Sequence, residues 1–188
     1  SEIDCLLSIK HALMMIIVAF FFKIAAAPFH MWSPDVYEGA PTSSTIFFAV
    51  VPKIALFGIF TRLFFDVFYL FYDVYVFSAI LTALTSVLVG SFGALKQKKI
   101  KRLLAYSSIS HVGYILLGFA SNSNEGLQAV FFYLFIYMIT NMSLWAILIS
   151  LEFSNLSGRS KTLTDLVAAS KNNPALGLGG LIALFSMT

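Results

Sequence analysis

Cysteine is nearly absent from this 188-residue sequence: Cys5 stands alone, which excludes an internal disulfide and any cysteine-built metal site or iron–sulfur cluster. Histidine is scarce too, three scattered residues, which argues against a metal centre. Charge is thin, at 11% of residues, and no Asp or Glu falls inside the long apolar runs. Nothing in the sequence resembles a phosphate loop, a nucleotide fingerprint or a hydrolase triad. Ser1 is not followed by a basic, cleavable leader, so the first apolar run lacks signal-peptide form.

What fills the sequence is apolar: 59% of residues, with a mean hydropathy of +0.88. A soluble domain would have to bury all these runs in one small core, yet several are long enough to cross about 30 Å of hydrocarbon as helices. The chain therefore reads as an all-α, polytopic transmembrane bundle. Charges, Pro and Asn/Ser clusters divide it into expected spans at 12–32, 43–64, 74–94, 103–120 and 127–150, with the start of a sixth at 174–188. The polar connector 151–173 contains "SKTLTDLVAAS", which reads as a short interfacial helix. The last run, "LIALFSMT", opens without completing a span, so a piece of a longer protein or one product of a split gene is expected. Twenty Phe and eight Tyr fit an AT-rich genome and point to an organelle-encoded protein.

Basic residues set the orientation. With alternating spans, Lys96, Lys98, Lys99, Lys101, Arg102, Arg159, Lys161 and Lys171 collect on one side, while Lys10 and Arg62 lie on the other. The "KQKKIKR" loop thus faces the cytoplasm or matrix, and the N-terminus faces away. Two basic residues remain, Lys23 and Lys53, and both fall inside expected spans. Lys23 is about eleven residues from the start of its span, roughly 16 Å, too deep for easy snorkelling. Lys53 follows Pro52 at similar depth. Facing lipid, each would cost about 2.5–3.5 kcal/mol, so lipid is the least favoured environment for both.

A buried lysine loses its proton readily without a counter-charge and keeps it beside a carboxylate, which is the physics of a proton relay. The spans hold no carboxylate, so a partner acid must come from elsewhere in an assembly. The competing reading is a structural lysine bonded to helix-end carbonyls. Pro28 removes a backbone donor near Ile24 and Ala25, which makes a broken helix beside Lys23, tolerated at membrane depth only under cover of protein or water. A simple proline kink is the plainer alternative.

Ser107, His111 and Tyr114 share a helical face, as do Tyr133, Tyr137 and Asn141 on the next span, with Thr140 beside them. These stripes either conduct protons, with His111 the best suited by its near-neutral titration, or hold the bundle by interhelical hydrogen bonds. In "SPDVYEGAP", Ser33 reads as an N-cap, Pro34 as the first helical residue and Gly39 as the stop, with Pro41 opening the next span. Asp35 and Glu38 are then surface acids of a short helix, not a catalytic pair. The loop 96–102 reads as a topogenic patch, with an access or coupling role for Lys101 as the alternative; nucleic acid binding is not supported.

"FFKIAAAPFHMWSPDVYEGAPTSSTIFFAVVPKIALFGIFTRLF" followed by "KKIKRLLAYSSISHVGYILLG" resembles the antiporter-like core membrane subunits of respiratory complex I, in the branch of NADH dehydrogenase subunit 2 and the bacterial N subunit. The likeness runs from about residue 12 to the end. It implies part of a fourteen-helix fold with two inverted five-helix repeats, each with one discontinuous helix. Residues 12–64 then close the first repeat and 74–150 open the second.

The resemblance makes Lys23 the family's central lysine, Lys53 its bridging lysine, Lys101 the lysine of "IKR" and His111 the histidine of "SSISHxGY", and these four are the expected proton relay. It places the acid partner of Lys23 before Ser1 and the ionisable residue of the second broken helix after Thr188. It implies a proton-translocating membrane-arm subunit of NADH:ubiquinone oxidoreductase in the mitochondrial inner membrane. Other membrane-arm subunits and lipid are the expected partners. Flavin, iron–sulfur clusters and quinone are expected elsewhere in the complex and none in this chain. The rivals are a subunit of a multi-subunit cation/proton antiporter, driven by Na⁺ or K⁺, and a structural membrane spacer with its lysines sealed from water.

Overall fold

The apolar runs carry few internal breakers, and in a membrane their backbone groups must be satisfied within each segment, so they form long helices. A computed structural model describes residues 2–154, 162 and 174–186. Seven α-helices follow in order among them: α1 (Glu2–Lys23), α2 (Trp32–Gly39), α3 (Thr42–Thr61), α4 (Tyr72–Leu95), α5 (Ile100–Ala120), α6 (Asn124–Ser154) and α7 (Pro174–Phe185). A π-helical turn, Arg62–Val67, extends α3, and a 3-10 turn, Tyr69–Phe71, leads into α4. Five stretches are long and apolar enough to cross a membrane: Leu6–Lys23, Thr42–Val67, Tyr69–Leu95, Ile100–Ala120 and Asn124–Ser150. The chain is a multi-pass membrane protein.

Four of these stretches lie where the sequence places them; the first does not. A span over 12–32 is expected, but α1 begins at Glu2 and stops at Lys23. The physical reason is a closed helix end. Ala25 takes a left-handed φ of 59°, Ala25 N–H donates to Phe22 O at 3.1 Å, and Ala26 N–H donates to Phe21 O at 2.9 Å. That pair of bonds is a Schellman motif, which usually puts glycine at the left-handed position. Here an alanine occupies it, at a cost of about 1–2 kcal/mol. The chain then turns through a cis Ala27–Pro28 peptide and restarts as α2.

The start of α2 also differs from expectation. Met31 is the N-cap, without a side-chain cap bond, and Ser33 sits buried within the first turn, so Ser33 is not the cap and Pro34 is not the first helical residue. Packing decides this: Ser33, Pro34 and Tyr37 form the inward face of α2. Gly39 does end the helix, and Pro41 caps α3 as expected. The first four residues of the expected connector, 151–154, belong to α6. The expected interfacial helix in "SKTLTDLVAAS" lies outside the described residues, apart from Thr162, which pairs with Lys99 in a lone antiparallel bridge.

Helices α4 and α5 form the tightest pair, because glycines let their backbones meet. A Cβ on Gly90 would stand 2.7 Å from Ser110 N, and one on Gly113 would stand 2.8 Å from Ala83 O. Such close approach is how small residues hold helices in lipid, where no hydrophobic force drives them together. A stack of aromatic rings fills the centre: Phe57 lies parallel to Phe119 at 5.6 Å, and Phe60 meets Phe119 edge-on at 4.9 Å. A second cluster around Trp145, Leu104 and Tyr37 joins α2, α5 and α6.

Candidate functional site

The break between α1 and α2 is held from across the bundle. Ala27 N–H donates to Ser86 Oγ at 2.8 Å, and Thr85 Oγ1 donates to Ala27 O at 3.0 Å. Ser86 is fully buried and lies within the body of α4, so the break sits at membrane depth. Trp32 Nε1–H donates to Phe22 O at 3.0 Å, a second donor on the carbonyl that already accepts from Ala25 N–H. The broken-helix reading holds, and the simple kink does not.

Lys23 is the last residue of α1, where a cation suits the helix dipole. It is exposed, and no carboxylate pairs with it among the described residues. A cavity of ≈ 290 Å³ brings it together with Lys53; Ala25, Trp32, Tyr37 and Thr45 also line it.

Lys53 is 5% exposed, on the inward face of α3. Its Nζ donates to Tyr137 Oη at 3.1 Å and stands 5.4 Å from the ring centroid, so the ammonium meets the hydroxyl end of the ring and not its face. Tyr137 is buried on α6, and Asn141 Nδ2 donates to its backbone oxygen at 3.0 Å. His111 packs edge-on against Tyr137 at 5.3 Å, and its Nδ1 is 2.7 Å from Tyr133 Oη. Its Nε2 is buried without a hydrogen-bond partner among the described atoms. A second cavity, ≈ 480 Å³, is lined by Gln97, Ser107, Ser110, His111 and Tyr114. Lys23, Lys53 and His111 thus lie in one sequence of contacts: first cavity, Lys53, Tyr137, His111, second cavity.

Lys101 stands apart from that sequence. Its Nζ donates to Ala40 O at 3.2 Å, just past the end of α2, and it precedes His111 by ten residues on α5, about 15 Å. The neighbouring basic residues hold the acids of α2. Arg102 splits its terminal nitrogens, Nη2 3.2 Å from Asp35 Oδ1 and Nη1 3.3 Å from Glu38 Oε2, and Lys99 pairs with Glu38 Oε1. The Lys99 hydrogen bond, ahead of any other influence, holds the Glu38 carboxyl below its ordinary range.

Sequence reasoning placed Tyr133 and Tyr137 on one polar face but did not find Tyr137 as the partner of Lys53. It also missed Trp32, Tyr37 and the Thr85–Ser86 pair. The polar faces of α5 and α6 carried a signal for the tyrosines; Thr85 and Ser86 looked like ordinary small residues of an apolar span.

Residues 6–188 match a family model described as NADH:quinone oxidoreductase/Mrp antiporter, transmembrane. The chain belongs to this family. Among its relatives, NADH-quinone oxidoreductase subunit N of Pelagibacter ubique is 42% identical over 175 residues, covering 93% of this chain and 37% of that protein. NADH-ubiquinone oxidoreductase chain 2 of Marchantia polymorpha is 42% identical over 179 residues, covering 93% of this chain and 34% of that one. The chain therefore spans little more than a third of the length of these curated relatives. In structure it is similar to a chain of respiratory complex I from Thermus thermophilus, with a TM-score of 0.76 and 36% identity, over 95% of this chain and 38% of that one. A chain of the Mrp complex from Dietzia shares the fold alone, at a TM-score of 0.68 and 20% identity.

Proposed function

We propose that this chain is a segment of a proton-translocating subunit in the membrane arm of NADH:ubiquinone oxidoreductase. One observation carries the reading: two lysines share a cavity at a helix broken at membrane depth, and the inner lysine connects through Tyr137 to His111. Lys23 is the switching site, charged while paired with an acid supplied by a segment outside this chain and deprotonating when that pairing weakens. Lys53 passes or displaces the proton towards His111. On this reading α1 to α3 close the first inverted repeat and α4 to α6 open the second. A second broken helix comes from a segment beyond this chain.

Lys101 serves in placing α2, on the strength of its bond to Ala40 O, with any proton transfer at that position left to the basic surface. The membrane is the mitochondrial inner membrane, a reading supported by the Phe- and Tyr-rich composition; the relatives include bacterial and plant proteins. Flavin, iron–sulfur clusters and quinone belong to other subunits, and neighbouring membrane-arm subunits and lipid are the partners.

The test is Lys23→Met in the assembled complex. Proton pumping and coupled NADH turnover should both fall. An unchanged number of protons moved per electron would sink the assignment, and transport driven by Na⁺ or K⁺ without NADH would move the chain to a cation/proton antiporter.

A further inference from the structure

Helix α2 walls the cavity shared by Lys23 and Lys53: Trp32, Ser33, Val36, Tyr37 and Ala40 all face it. The cavity runs along α3 from Thr45, one turn from its start, to Lys53 and Leu56 near its middle. Only eight residues long and without a side-chain N-cap, α2 has little stability of its own. What fixes it to the bundle is divided between two faces. Inward, Tyr37 stacks on Trp145 with centroids 6.2 Å apart and packs in one cluster with Leu104 and Ala105 of α5. Outward, Asp35 and Glu38 are gripped by Lys99 and Arg102, and the carbonyl of Ala40 by Lys101. Tyr37 and Glu38 are adjacent in the chain, so the acid pairs bear directly on where the tyrosine stands.

We infer that Glu38 and Arg102, with Asp35 and Lys99, are positioning residues: an electrostatic clasp between α2 and the start of α5 that holds Tyr37 against Trp145 and so keeps the lysine cavity narrow towards the basic face. The clasp joins an acid-bearing wall to a basic-bearing helix end and contributes no proton carrier of its own. Its release lets α2 swing outward and widens the approach to Thr45 and, beyond it, to Lys53. The Arg102 fork bridges two acids at once, so loss of either acid loosens it while leaving the other bond in place. The inference rests on the proposed function only for its meaning; the clasp itself is a statement about access.

Access is measured directly. Thr45 is 2% exposed and its hydroxyl donates to the O of Pro41, the cap of its own helix, so Thr45→Cys in a Cys5→Ser background places one thiol in the cavity wall. The assembled complex in membrane vesicles is treated with a charged, membrane-impermeant methanethiosulfonate, and the rate of labelling is followed without NADH. Glu38→Gln is expected to speed labelling by about fivefold, the factor of one well-placed ion pair. Raised salt should speed it in the parent, and by a smaller factor in Glu38→Gln, which keeps the Asp35–Arg102 pair. Reversing every charge of the clasp together, Asp35→Lys, Glu38→Lys, Lys99→Glu and Arg102→Glu, should return the rate towards the parent value, which a variant that merely misfolds would not do.

Labelling unchanged by both Glu38→Gln and salt overturns the clasp, as does a charge swap that labels as fast as Glu38→Gln. Because the readout needs neither electron transfer nor pumping, the clasp can fail while the proton-pumping reading stands, and the reverse.

Discussion

Replacing Tyr137 by Phe removes one oxygen from the bundle, and the structure fixes what that oxygen does. Tyr137 is the hydrogen-bond partner of Lys53 Nζ among the described residues, at 3.1 Å, and Lys53 is 5% exposed. A buried group that loses its partner forfeits the bond and keeps its desolvation penalty, about 1.5–3 kcal/mol when the bond involves a charge. Tyr137→Phe should therefore destabilise the protein by about 2 kcal/mol. The same bond lies on the contact path to His111, so a loss of that size at the transfer step slows pumping by more than about tenfold. Lys53→Met behaves differently. It removes the charge together with its need for a partner, so stability should change by less than about 1 kcal/mol while pumping is lost.

The double variant decides between this account and general damage to the core. With Lys53 already Met, the Tyr137 hydroxyl has no ammonium to serve, and its removal should cost little further. A double-mutant cycle in detergent, read by thermal unfolding, is expected to give a coupling energy of about 1.5 kcal/mol, with proton uptake measured in proteoliposomes beside it. Strictly additive effects, with coupling below about 0.5 kcal/mol, would refute the reasoning.

Ser86→Ala removes the acceptor of the buried Ala27 N–H and should cost about 1–3 kcal/mol, whereas Ser86→Thr, keeping the hydroxyl, should restore most of it in the same unfolding assay. Ala25→Gly relieves the left-handed strain at the end of α1 and, after the added freedom of the unfolded chain, should raise stability by about 0.5–1 kcal/mol; a loss would show that the Ala25 methyl packs more favourably than its backbone is strained. Gly90→Ala puts a methyl 2.7 Å from the Ser110 nitrogen, so α4 and α5 must separate at about 1–3 kcal/mol, while Gly39→Ala, with nothing within 4 Å, should be mild by comparison. The Glu38 carboxyl is held below its ordinary 4.5, so its contribution to the position of α2 is complete above that value and is lost as pH falls through the depressed one. Labelling at position 45 slows in every variant as the thiolate is protonated, so the readout is the ratio of the parent rate to the Glu38→Gln rate, which should rise towards one on acidification below about 4.5.

The span count was legible because hydropathy and the membrane's demand for satisfied backbone leave a chain like this few alternatives. The ends of the first span were not. Lys23 apart, "FFFKIAAAPFH" stays apolar through Pro28, and only the Schellman bonds at Ala25 and Ala26 reveal that the helix stops five residues earlier. Lys23 and Lys53 stood out because a charge in a hydrocarbon run has a large cost, and that cost is visible without coordinates. Tyr137, Ser86 and Tyr37 carry no such penalty on their own. Their importance comes from which helix they face, and that depends on the crossing of α2, α4 and α6, which no local pattern encodes. Ser33 failed as a cap for the same reason: burial on the inward face of α2 took the residue that propensity assigned to the helix end.

Two tryptophans stand in this sequence, one in α2 and one against it: Trp32 opens the helix and bonds its indole N–H to the broken end of α1, and Trp145 lies buried under Tyr37. Trp32 is half-buried and lines the lysine cavity while Trp145 sits in a closed stack, so their emission should separate in wavelength and in quenching by iodide. The protein is thus already labelled for optical work at the one element whose displacement matters most. Following the two bands during turnover would time the movement of that short helix without adding a single atom to it.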